Sequence, residues 1–271
     1  MPIFDIAVNA ANKQLVNDLE QIASRSVDAG VDKWLMVAGD VEQAEQCIQL
    51  AEQLAANENL HSLQTFCTAG VHPHDAKSVS ADFIDKLRDL HQHPQMVAVG
   101  ECGLDFNRDF SPRPLQEKVF EQQLALACEL QKSVYMHERD AAERFLAITS
   151  QFAEKLAKGV VHCFTGEKDT LMRYLDRGFY IGITGWVCDE RRGVELRELI
   201  QYIPSDRLMI ETDAPFLLPR SLKPKPKSRR NEPCYLPHVA QTLANILNMD
   251  VAELEANCYR NSCQFFIGQR D

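Results

Sequence analysis

Eight times along the chain, a short apolar run gives way to a stretch with helical spacing. The runs span 3–8, 34–38, 65–71, 96–100, 133–136, 159–162, 179–183 and 207–211, and the stretches between them include LVNDLEQIASRSVDAG and LQEKVFEQQLALACELQ. The runs lack clean polar alternation, the mark of strands buried on both faces in a parallel sheet. Gly30 and Gly178 stand where a helix end calls for a left-handed backbone. Eight strand–helix units can close into a (β/α)8 TIM barrel or lie open as a doubly wound sheet. No GxGxxG or P-loop follows the first run, which counts against the open nucleotide-binding sheet. The expected fold is therefore an α/β chain forming a (β/α)8 TIM barrel. One domain over residues 1–271 is expected, since such barrels often occupy about 250 residues.

Composition narrows the functional classes. With 45% hydrophobic and 25% charged residues, the chain has ordinary globular composition. No apolar run approaches the ~20 residues needed to span a bilayer. The opening MPIFDIAVNA has no basic leader before an apolar stretch, so no secretory signal is expected. Nine cysteines, an odd number without a CxxC pair, read as buried reduced thiols of a cytoplasmic protein. The formal net charge of −10 argues against bulk electrostatic binding to nucleic acid. It leaves room for a nucleic-acid enzyme in which a metal ion and a few local cations hold one phosphate.

One segment breaks the rhythm. From Leu217 to Pro237 the chain carries five prolines and many basic residues, including Lys223, Lys225, Lys227, Arg229 and Arg230. It reads as a long loop after the eighth strand, followed by helices that cap or flank the barrel.

Barrel enzymes carry their chemistry at the C-terminal ends of the strands. In order, those ends are Asn9, Gly39, His72, Glu101, His137, His162, Gly185 and Asp213. A single histidine there is more often a structural residue, and a single carboxylate a helix cap. The joint pattern is different, because burying so many ionisable groups without a purpose is costly. The imidazoles of His137 and His162 with the carboxylates of Glu101 and Asp213 suit a divalent ion used for hydrolysis. Cys102 and Cys163 directly follow ligand positions, so alternation turns them away.

The same residues fall in ordered motifs: VHPHD from Val71, GECGLDF from Gly100, MHERDA from Met136, VHCFTG from Val161, GITGWVCDERRG from Gly182, IETDAPFLLPR from Ile210 and RRNEP from Arg229. Together they resemble the TatD family of metal-dependent deoxyribonucleases nearly end to end. The resemblance implies the barrel and magnesium-assisted phosphodiester hydrolysis, with 3′→5′ exonuclease action on single-stranded DNA or RNA. Manganese or zinc are the alternative ions. It matches Glu101, His137 and His162 to metal ligands and Asp213 to the carboxylate after the eighth strand. His72 and His74 match the segment close to the substrate phosphate. The chain departs from the family's first-strand His-x-His, carrying Ala7 and Asn9 instead. Alanine cannot ligate, so one firmly held ion is expected and a second is left open.

In this reading Asp213 accepts the attacking water's proton. His72 or His74 meets a phosphate oxygen or the leaving group, or His74 merely caps the next helix. The basic run is a path for a single strand or plain solvated surface. Trp186 and Phe106 stack on a base or pack in the core. A monomer is expected, with no membrane partner. The alternatives are an amidohydrolase-type enzyme acting on a small amide, lactone or ester, and a non-catalytic barrel that binds a partner.

Overall fold

The computed structural model describes residues 1–268. Eight parallel strands follow one another around a single sheet in sequence order. They are β1 (Ile3–Val8), β2 (Val31–Met36), β3 (Gln64–Ala69), β4 (Met96–Asp105), β5 (Ser133–Arg139), β6 (Gly159–Val161), β7 (Tyr180–Ile183) and β8 (Leu208–Ile210). The helices are α1 (Leu19–Asp28), α2 (Val41–Ala56), α3 (Phe83–Leu90), α4 (Arg113–Leu130), α5 (Ala142–Ser150), α6 (Lys168–Asp176) and α7 (Val194–Ile200). After the long loop come α8 (Leu236–Leu247) and α9 (Val251–Phe266). The expected TIM barrel is the observed fold. Gly30 and Gly178 end α1 and α6 with φ of +86° and +73°, as their positions predict. Asp40 and Asp250 cap α2 and α9 through their side chains.

Two apolar layers hold the barrel. Between strands and helices lies the larger one, containing Trp34, Met36, Val99, Cys102 and Met136. Inside the barrel, Phe4, Leu35, Phe66, Ala98, Tyr135, Val160 and Met209 form a second. At the strands' N-terminal end α9 plugs this interior with Phe265 and Phe266. The Phe266 ring lies 5.9 Å from Phe4 and 6.5 Å from Tyr135. One end of the barrel is thereby sealed with aromatic rings, leaving the other for chemistry.

β1 and β8 meet differently from the other neighbours. A bridge from Val8 to Ala214 and a hydrogen bond from the Asn9 N–H to the Ala214 carbonyl (2.9 Å) join them at the top. Deeper in the barrel the buried Asp5 carboxylate accepts from the Thr212 N–H (2.9 Å) and hydroxyl (2.5 Å). Side chains supply part of this seam because β8 is only three residues long.

Two strands run further than the apolar runs predict. β4 reaches Asp105 and β5 reaches Arg139, with Gly103 beside His137 and Asp105 beside Arg139. A register shift between Val99 and Cys102 lets the polar ends stay paired. Gly103 is required there: a Cβ would lie 1.9 Å from the His137 carbonyl oxygen, at φ +142°. His137 therefore sits within paired strand and Glu101 at the register shift, its N–H bonded to the Ala38 carbonyl (3.0 Å), rather than in the strand-end loops expected from sequence.

Candidate active site

Glu101 is the centre of the upper rim. Its Oε1 lies 2.8 Å from His162 Nε2, 3.2 Å from His72 Nε2 and 3.2 Å from His137 Nδ1. These imidazoles come from β5 and from the ends of β3 and β6, so four consecutive strands converge on one oxygen. His72, Glu101 and His137 present ligand atoms within 4.8 Å of one another. One carboxylate oxygen cannot accept well from three rings at once. His137 Nε2 and His162 Nδ1 are buried without a hydrogen-bond partner, and their nearest acceptors, Asp105 and Glu211, lie 3.5 and 3.6 Å away. Convergent nitrogen and oxygen donors with unsatisfied buried nitrogens fit a divalent cation. No thiol joins them.

Electrostatics follow from this crowding. Burial works against the charge on Glu101, but His162 and His72 hold its carboxyl well below the usual range. Burial likewise disfavours a charged His162, yet Glu101 and Glu211 push it well above its ordinary value. For His72, burial wins over Glu101 and lowers it.

Beneath the expected ligands lies a layer that the apolar pattern concealed. Glu211 is fully buried; it accepts from Tyr135 Oη–H (3.1 Å) and the Cys163 N–H (2.5 Å). Gly182 leaves it room, since a Cβ there would come within 2.8 Å of Glu211 Oε1. Asp105 lies 2.6 Å from His74 Nε2. Burial opposes its charge, but the adjacent His137 and the hydrogen-bonded His74 keep it well below the usual carboxylate range. Asp105 holds the His74 ring by a hydrogen bond, while Glu211 stands 3.6 Å behind His162 Nδ1, where partners behind metal ligands are placed.

Asp213 makes its side-chain hydrogen bond across the seam rather than to the histidines. Its Oδ1 accepts from Asn9 Nδ2 (3.0 Å), which also donates to the Ala214 carbonyl (3.1 Å). Burial pushes the Asp213 carboxyl up to about 7, with His162 partly opposing. Ala7 is buried and contributes no donor.

The cap offered as one reading of His74 is made by His72 instead. His72 Nδ1 accepts from the His74 N–H (3.1 Å) and caps the short 3₁₀ turn at Pro73–Ser78. His74 instead directs its ring to Asp105. Trp186 and Phe106 pack against the core, the second of the two readings given them by sequence; Arg113 covers Phe106 at 4.5 Å. In the basic loop Arg230 is tied to Asp18 and Glu232, while Lys223, Lys225, Lys227 and Arg229 are exposed. Cys163 does not turn fully away: its Sγ lies 3.8 Å from Thr184 Oγ1.

Asp109, Asp140, Cys163, Asp213 and Leu217 adopt positive φ without being glycine. Such residues cost about 1–3 kcal/mol each and gather where function dictates the backbone. All five follow a strand's C-terminal end.

Comparison with known proteins accords with this geometry. The model of the TatD related DNase family matches residues 4–267. A protein named 3'-5' ssDNA/RNA exonuclease TatD from Citrobacter rodentium is 47% identical over 264 residues, covering 97% of each chain. Its namesake from Pantoea sp. is 48% identical over 264 residues, 97% of this chain and 99% of the relative. The crystal structure of a hydrolase TatD family protein from Entamoeba histolytica superimposes with a TM-score of 0.90 at 24% identity, covering 99% of both chains.

Proposed function

This chain belongs to the TatD related DNase family, and from that premise we propose that it is a metal-dependent 3′→5′ exonuclease acting on single-stranded DNA and RNA. The observation that carries the reading is the convergence of three imidazoles on Glu101 Oε1. Glu101, His137 and His162 would hold one divalent ion, magnesium in the cell, with the Asp213 carboxylate within electrostatic range of Glu101 and His162. When bound, such an ion supplies Lewis acidity at a phosphoryl oxygen and a more acidic water.

The remaining roles belong to the protein. Asp213, oriented by Asn9, takes the proton of the attacking water. His74, held by Asp105, hydrogen-bonds a phosphate oxygen or delivers a proton to the departing oxygen. His72 orders the HPH segment through its cap and reaches the phosphate beside Glu101. The exposed lysines of the loop after β8 follow the strand's backbone. A monomer in the cytoplasm is the state in which we place it. The nine unpaired cysteines support the compartment. Among the described residues no helix is long and apolar enough to cross a membrane.

End-labelled single-stranded DNA and RNA, incubated with magnesium, manganese and zinc in turn, test this directly. The expected result is stepwise loss of 3′ nucleotides, greatest with magnesium. Hydrolysis of small esters or lactones with intact oligonucleotides would overturn it.

A further inference from the structure

Apolar rings on this molecule are buried with few exceptions, and one exception adjoins the histidine cluster. Phe110, in the segment between β4 and α4, is 55% exposed. Its ring lies 4.7 Å from His74, edge to face. The His74 ring lies 4.2 Å from His72, and His72 lies 4.6 Å from His137. A row of rings thus runs from the Glu101 cluster outward and ends at Phe110.

The backbone that presents this ring is fastened from below. The buried Ser111 hydroxyl donates to the His74 carbonyl (2.7 Å) and accepts from the Lys77 N–H (3.0 Å). Gln116 Nε2 donates to the Ser111 carbonyl (2.8 Å), and Lys77 Nζ to that of Phe110 (2.8 Å). These bonds fix Phe110 relative to His74 while leaving its ring in water. Exposing a phenyl ring forgoes the stability that burying it would give, so its placement calls for a ligand with an apolar face.

The geometry points to Phe110 as a nucleobase-stacking site, which holds an unpaired base next to the phosphate at Glu101. This rests on the nuclease reading and extends it to a substrate contact. A nucleobase is the ligand that joins a flat apolar face to a phosphate, and stacking accepts every base. Stacking also favours single strands, because a paired base has both faces covered within the duplex. In a chain of net charge −10, it supplies affinity that does not depend on salt.

The test compares wild type, Phe110→Ala and Phe110→Trp on oligonucleotides that are intact or carry one abasic residue at each of the last three positions. On intact strands Phe110→Ala should raise KM about tenfold with a smaller change in kcat, and Phe110→Trp should restore it. At one abasic position wild type should fall to the level of Phe110→Ala, with no further loss from the substitution. Equal KM for all three proteins on intact DNA would overturn the site. So would a Phe110→Ala loss of equal size on every abasic substrate, which would mark a purely structural role. Wild type that releases no nucleotide from any strand would overturn the nuclease reading itself.

Discussion

The two sides of the barrel's upper rim are built on opposite plans. Along the arc from β3 to β6, three imidazoles crowd one carboxylate oxygen and two buried nitrogens find no partner. Across the seam from β8 to β1, polar groups satisfy one another: Asn9 holds Asp213, and Asp5 holds Thr212. The arc leaves buried nitrogens unsatisfied as protein alone, the state that a divalent cation would relieve. The seam is complete as it stands; it closes the barrel and offers one carboxylate to the arc. Ala7 and Asn9 give the seam no imidazole where the family carries two. The amide of Asn9 spends its donors on Asp213 and Ala214.

The largest effects should divide along this line. Glu101→Gln and His162→Ala should each lower nucleotide release on the order of a thousandfold or more and abolish bound metal, while circular dichroism remains that of wild type. Asp213→Asn should lower turnover by about 10²- to 10⁴-fold, the range for a general base, yet keep one ion per chain. Loss of the ion from Asp213→Asn with retention in Glu101→Gln would reverse the two sides.

Next in size is a stability effect confined to the seam. Burial pushes the Asp5 carboxyl from 3.8 up to about 7, against the hydrogen bonds from Thr212. The folded value lies above the unfolded one, so the fold prefers the neutral carboxyl. That contribution is fully present below pH 4 and is lost as pH rises through 7, by up to about 4 kcal/mol. Asp5→Asn removes the titration. Denaturant melts should show the variant gaining on wild type between pH 4 and 8, whereas a constant difference would place the carboxyl's folded value near its unfolded one.

The smallest effect belongs to the loop after β8. Replacing Lys223, Lys225 and Lys227 with Gln should weaken single-strand binding and flatten its salt dependence by up to about three phosphate contacts, with little change in single-turnover rate. An unchanged salt slope would make the loop ordinary surface.

The arc was legible in the sequence and the seam only in part. His72, Glu101, His137 and His162 follow apolar runs, so their alignment on one rim could be read by counting strands. Asp5 and Glu211 were hidden because each lies within a run read as strand. Nothing in the local pattern says that such a residue points at Thr212 or at His162; the partner is more than forty positions away in each case. Asp105 was missed for a related reason. The polar end of β4 looks like loop by composition, and only its pairing with β5 keeps it extended. The cap made by His72 rather than His74 depends on a ring orientation that no spacing specifies.

Calorimetric titration of manganese into metal-free protein, repeated on Glu101→Gln and Asp213→Asn, tests the division of the rim most directly. The account predicts one tight site per chain in wild type, one weakened by about tenfold in Asp213→Asn, and none in Glu101→Gln. Two equally tight sites in wild type, or a tight site surviving in Glu101→Gln, would contradict it.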